Sequence, residues 1–196
     1  MGSAVGSILN RYVMSANPGV VAMNSVSIAY PIAMTVFLLL RVRRTGCRMK
    51  ELLGGSVSKF WLLSTIAGGV AFTVLREMLF DLDQSILFAS LDSFSKTSIL
   101  VQALLLSPVF EELYFRRLLL STICSRMGVW QGVVLSSFVF AVYHGLSGLP
   151  PHFSGSVFCL GMIAGLLMLE SRSIISSVAF HISVNVANYV AIVYQS

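Results

Sequence analysis

Charge is what this sequence has least of. Lysine and arginine number 13 and aspartate and glutamate 8, so charged residues are 11% of a chain that is 56% hydrophobic. A soluble fold of 196 residues would need a polar exterior that this inventory does not supply, and no folded basic module is left to bind nucleic acid. Cysteine is scarce as well. Cys47, Cys124 and Cys159 are odd in number and scattered, with no CxxC, which argues against a disulfide framework or a structural zinc site. The first 18 residues, MGSAVGSILNRYVMSANP, are too short and too weakly apolar for a cleavable signal peptide. Gly6 stands where a myristoylation signal would carry Ser or Thr. Repeats, low-complexity segments and linkers are missing too, so the sequence predicts one integral membrane domain over residues 1–196.

Long apolar runs take the place of what is missing. Mean hydropathy is +0.86, and runs near the length of a bilayer span recur along the chain. They predict an all-α, polytopic transmembrane helix bundle of about six spans or more. The spans fall at about Val20–Leu40, Phe60–Phe80, a third from Thr97 towards Arg126, then Trp130–His144, Ser156–Leu169 and Ile174–Tyr194. Lysine and arginine bias orients them. Arg41, Arg43, Arg44, Arg48, Lys50 and Lys59 predict a cytoplasmic loop, and the alternation then puts Arg116, Arg117, Arg126 and Arg172 on the same side. Asp81, Asp83 and Asp92 fall outside, as do both termini; residues 85–91 are too short to span and are expected at the interface. Gly161 and Gly165 form a small-xxx-small pair that predicts close helix packing.

Three polar faces interrupt these apolar helices. Ser-Pro-Val-Phe-Glu-Glu-Leu-Tyr-Phe-Arg, residues 107–116, sets two carboxylates beside an arginine; Phe140 precedes His144 by four residues, and His181 precedes Asn185 by four. Each i,i+4 pair shares one helix face. Ionised side chains at membrane depth cost roughly 2.5–3.5 kcal/mol each on insertion scales, so they persist when partnered and mark working sites. At about 1.5 Å per residue, Glu112 and His144 lie about 21 Å from the cytoplasmic boundary, Asn185 about 18 Å and His181 about 12 Å. The three faces therefore overlap in depth.

Each face also has a plain structural explanation. Glu112 and Arg116 can pair along one face as packing glue. His181, Asn185 and Asn188 form a donor stripe that helix association alone would explain. Arg76 and Glu77 are expected to snorkel or pair. Glu111 differs: Ser107 and Phe115 occupy its i±4 positions, so its charged partner must come from another helix, with His144 and His181 the candidates. Ser107-Pro108 predicts a kink or a restart of this helix. The conjunction of the faces looks like an active site, with one carboxylate beside another in low dielectric suited to act as a general base.

In order along the chain, Glu111-Glu112-x-x-x-Arg116, Phe140-x-x-x-His144 and His181-x-x-x-Asn185 resemble the CAAX-protease and bacteriocin-processing (CPBP, or Abi) family of intramembrane proteases. The resemblance covers about residues 97–190. It implies a glutamate-type endopeptidase without a cofactor, acting on a membrane-associated peptide or C-terminal tail. It further implies that Glu111 and His144 activate water, that His181 and Asn185 stabilise the oxyanion, and that Glu112, Arg116 and Phe140 support the site. Two departures stand out: Arg117 where the family often has Gly, and fewer spans than the eight helices of some members. Two other readings remain. A zinc ion could be held by Glu111, His144 and His181 in a His₂Glu set, or a non-catalytic bacteriocin-immunity or scaffold protein could share the pattern. The expected location is the cytoplasmic membrane of a prokaryote.

Overall fold

The computed structural model describes residues 53–80, 101–146 and 151–195, with helical positions at 33, 36, 37, 40, 43 and 44. The chain divides into two units, Met1–Arg44 and Thr45–Ser196, and the residues of interest lie in the second. Most of the expected Val20–Leu40 span, most of the basic loop, the Asp81–Asp92 stretch and residues 85–91 lie outside the described residues.

Among the described residues the structure is almost entirely helical, apart from short connections and one isolated bridge between Gly54 and Ser173. Helix α1 is Lys59–Phe80, α2 covers residues 102–127, α3 is Val129–Leu146, α4 is Ser154–Ser171 behind a 3-10 turn at Pro151–Phe153, and α5 is Ile174–Gln195. Four of these are long and apolar enough to cross a membrane: Lys59–Leu79, Val129–Leu146, Pro151–Ser171 and Ile174–Ala191. The fold is an all-α polytopic membrane bundle, as the sequence predicts. Helix α2, the expected third span, carries Glu111, Glu112, Arg116 and Arg117 in its middle. It packs against α3, α4 and α5, α3 packs on α4, and α1 packs on α5. The charged helix is thus at the centre of the apolar ones.

Polarity is inverted relative to a soluble protein. Phe60, Leu63, Met78, Trp130, Phe138 and Leu146 are exposed, while Glu112, Arg116, Ser136, Ser137, Ser176 and Ser177 are fully buried. With lipid outside, an exposed apolar side chain costs nothing, and helices associate through small residues and internal hydrogen bonds. The buried hydroxyls follow this rule. Ser137 donates to the Val133 carbonyl at 2.7 Å, Ser183 to Phe180 at 2.7 Å and Thr73 to Gly69 at 3.1 Å. One small apolar core of Phe115, Phe140, Leu160, Ala164, Phe180 and Val184 fills the centre.

Helix α2 is compound: π-helical at Gln102–Leu106 and Leu113–Leu120, α-helical at Ser107–Glu112 and Ser121–Met127. Of the two outcomes expected at Ser107-Pro108, a kink or a restart, the restart does not occur. Leu106 and Ser107 both keep right-handed helical dihedrals, and the Ser107 N–H donates to the Gln102 carbonyl, five residues back. Pro108 has no N–H, and its ring crowds the preceding turn. The wide π-turn makes room for that ring without breaking the helix.

Turns and close approaches fix the remaining geometry. Gly128, at φ 103°, separates α2 from α3 in a backbone conformation that L residues rarely adopt. Gly161 and Gly165 do allow the predicted approach: a Cβ on Gly161 would lie 3.0 Å from the Ser137 Cβ, and one on Gly165 3.4 Å from Leu120. On α1, a Cβ at Gly69 would overlap the Ser183 hydroxyl and lie 2.8 Å from the Phe180 carbonyl oxygen, whereas one at Gly68 would meet nothing within 4 Å. Gly69→Leu should therefore push α1 off α5 and destabilise the protein by about 1–3 kcal/mol, with Gly68→Leu nearly neutral. Thermal unfolding in detergent checks this; equal melting temperatures for the two variants would refute the α1–α5 packing.

Candidate active site

Helix α2 supplies both carboxylates. Within Ser107–Glu112 the adjacent Glu111 and Glu112 point about 100° apart around the axis, and that angle gives them different surroundings. Glu112 is fully buried and Glu111 is 5% exposed. The Glu112 Oε2 atom lies 3.2 Å from the Arg116 Nε, an ion pair between two fully buried groups. These atoms are not aligned as a hydrogen bond, and the guanidinium lies 4.7 Å over the Phe140 ring instead. A cation on an aromatic face is stabilised by the ring quadrupole, more so when desolvated. The second Glu112 oxygen accepts from the His181 Nδ1 at 2.9 Å, and Ser177, one turn before His181, also faces this carboxyl.

Glu111 looks the other way. Its Oε1 accepts a hydrogen bond from the Ser107 hydroxyl one turn earlier. Its Oε2 lies 3.7 Å from the His144 Nε2 and 3.8 Å from the His181 Nε2. Both expected cross-bundle partners therefore reach Glu111, but the short His181 bond goes to Glu112. The sequence reading missed that link because it treated the second carboxylate as satisfied by Arg116.

The two imidazoles are held from behind. The His144 Nδ1 lies 3.0 Å from the Phe140 carbonyl oxygen, which can only accept, so Nδ1 carries the proton. The rings of Phe140 and His144 are 4.4 Å apart at 60°, and His181 meets the edge of Phe140 at 5.9 Å and 85°. Phe140 and His144, expected on one helix face, are in ring contact, and one phenyl ring braces both histidines and Arg116. With each Nδ1 engaged, both Nε2 atoms turn to Glu111 Oε2. Separations of 3.7 and 3.8 Å exceed a direct hydrogen bond and suit a shared water.

Other residues singled out in the sequence lie as follows. Asn185 is one turn beyond His181 on α5 and half-buried, on the face His181 presents to α2. Asn188 follows, with its Oδ1 buried. Arg76 and Glu77 do pair, although they are adjacent in sequence. His152 is exposed and stacks on Phe153. Cys124 and Cys159 are free thiols. Among the described residues no group of three His, Cys, Asp or Glu is placed to hold a metal ion. Ser107 and Ser177 went unrecognised; the available signal was a hydroxyl four residues from an acid or a histidine on the same helix face.

Removing one member of a buried ion pair leaves the other charge without compensation, at about 3–5 kcal/mol. Arg116→Ala and Glu112→Ala should lower the melting temperature accordingly, while Glu111→Gln, which keeps shape and hydrogen-bonding capacity, should leave it nearly unchanged. Thermal unfolding of the three purified variants separates the roles, and a Glu111→Gln protein as unstable as Arg116→Ala would contradict the division.

The comparisons with known proteins bear on this same stretch. The family model described as type II CAAX prenyl endopeptidase Rce1-like matches residues 93–187, from just before α2 into α5. No curated protein and no solved structure matches the chain significantly. The matched stretch contains every member of the cluster around Glu111 and Glu112. Residues 93–187 are thus similar to the Rce1-like type II CAAX prenyl endopeptidases, and this match agrees with the resemblance to the CAAX-protease and bacteriocin-processing proteins.

Proposed function

We propose that the chain is an intramembrane endopeptidase that hydrolyses a peptide bond in a membrane-associated or C-terminal tail substrate, with Glu111 activating the water. The match of residues 93–187 to a peptidase family supports the reaction class. One observation carries the mechanism: two Nε2 atoms face the single Glu111 oxygen Oε2 at 3.7 and 3.8 Å, each imidazole being held by its other nitrogen.

In this reading a water sits between Glu111 Oε2 and His144 Nε2, donating to one or both. Glu111 Oε2 takes a proton from the water, and the oxygen left behind attacks the carbonyl carbon of the substrate. The carbonyl π electrons move onto its oxygen. Asn185 and His181 stabilise that oxyanion, His181 being held by Glu112 at 2.9 Å. The tetrahedral intermediate then collapses. The C–N bond breaks as Glu111 returns the proton to the leaving nitrogen, so the carboxylate is regenerated. Glu112 and Arg116 take no part in proton transfer; they hold His181 and the α2 backbone, and Phe140 braces both imidazoles.

A substrate that enters such a site must bring a polar main chain to membrane depth. A lipid-bearing C-terminal tail does so, and the family description names prenylated CAAX tails. The expected location is the cytoplasmic membrane of a prokaryote. No metal is assigned: the site's carboxylate and imidazoles suffice to position and deprotonate a water.

The test uses purified protein in liposomes with a fluorogenic farnesylated CAAX peptide and an unprenylated membrane-anchored peptide. Wild type should cleave at least one. Failure on both would favour an immunity or scaffold role. Glu111→Gln should abolish cleavage, and substantial turnover by that variant would sink the mechanism. Asn185→Ala should lower kcat about 10²-fold or more with KM little changed; a variant that loses stability but keeps kcat returns this stripe to packing. Exhaustive chelation, verified by elemental analysis, should leave most activity. Loss with recovery on stoichiometric zinc would instead make Glu111, His144 and His181 ligands.

A further inference from the structure

We infer that Ser107 is a positioning residue that selects which oxygen of Glu111 works as the base; the inference rests on the reading of Glu111 given above. The two oxygens of this buried carboxylate are not equivalent. Oε1 accepts the Ser107 hydroxyl, while Oε2 faces the Nε2 atoms of His144 and His181 at 3.7 and 3.8 Å. A carboxylate free to turn about its last torsion could offer either oxygen, because that torsion is broad. A donor fixed on one oxygen removes the freedom and leaves the other aimed at the imidazoles.

The behaviour of the other hydroxyls makes this bond informative. A serine or threonine inside a helix ordinarily donates backwards to a carbonyl three or four residues earlier. Thr65, Thr73, Thr122, Ser137, Ser171 and Ser183 all do so in this structure. Ser107 sits in the same kind of backbone and donates forwards, to a carboxylate one turn ahead. It is also the residue at which the π-turn of Gln102–Leu106 ends, its N–H bonded to the Gln102 carbonyl. The helix therefore changes winding where the hydroxyl must be aimed. Alanine at this position would serve helix formation better, so helix stability does not explain the serine.

Fixing the oxygen matters because proton transfer depends on alignment. A base that spends part of its time turned away loses turnover without losing affinity for the substrate, since the groups that bind the substrate are untouched. Charge-assisted hydrogen bonds are the stronger class, so the loss should be measurable.

The experiment compares Ser107→Ala, Ser107→Thr and Glu111→Gln with wild type, on the peptide that wild type cleaves. Ser107→Ala should lower kcat about 10-fold or more, with KM within about twofold and an unchanged melting temperature. Ser107→Thr, which keeps the hydroxyl, should retain kcat within about threefold of wild type. A wild-type kcat in Ser107→Ala overturns the inference, as does a Ser107→Thr protein as slow as Ser107→Ala, or a loss that appears in KM or thermal stability. Glu111→Gln tells the two levels apart. If Glu111→Gln is inactive while Ser107→Ala is fast, only the role of Ser107 fails; if Glu111→Gln is active, the reading beneath it fails as well.

Discussion

Everything at the centre of this bundle hangs on a guanidinium that has no water. Arg116 is fully buried, and its charge is met by Glu112 at 3.2 Å and by the face of Phe140 at 4.7 Å. At membrane depth such a charge is tolerated only when held by protein groups. Meeting that demand fixes Glu112 in place, and Glu112 in turn accepts a hydrogen bond from the His181 Nδ1. Phe140, clamped between Arg116 and both imidazoles, carries the same constraint across to α3 and His144. A single ion pair thereby sets the orientation of three helices around Glu111.

Two neighbouring carboxylates can then have opposite characters. Glu112 is surrounded by partners: Arg116, His181 and Ser177. A carboxylate so engaged has its oxygens committed to holding its neighbours in place. Glu111 has one oxygen anchored by Ser107 and one facing two histidines. The difference follows from the roughly 100° step between successive helical residues, which points one carboxylate at its own helix and the other across the bundle. The pair is a small instance of how environment assigns roles to like groups.

Much of this was legible in the sequence, and the rest was not for identifiable physical reasons. Periodicity identified Glu112–Arg116, Phe140–His144 and His181–Asn185, because four-residue spacing is a local property of a helix. Depth counting brought His144 and His181 to the Glu-Glu pair, because rise per residue is also local. The close approach at Gly161 followed from residue size. What escaped was decided partly between helices and partly by the winding and hydroxyls of α2 itself. The His181 bond to Glu112 depends on the rotation of α5 against α2, which no single helix encodes. The π-turns at Gln102–Leu106 and Leu113–Leu120 change the residue angle without a composition signature. Ser107 was dismissed as a neighbour of Glu111 for lack of charge, although a hydroxyl was the donor required.

The inverted polarity explains why the site can be so compact. In a soluble enzyme a buried cluster of two carboxylates, a guanidinium and two imidazoles competes with water for every hydrogen bond. Here the alternative for each group is lipid, so internal pairing is the only solvation available. Serines back-bonded on α3 and α5 need no water either, which keeps the helices close without a large apolar core. A water drawn into this interior would find few acceptors unused. Glu111 Oε2 and the two Nε2 atoms lie together, so the packing that excludes bulk solvent leaves one place, beside Glu111, where polar atoms converge without a short bond between them.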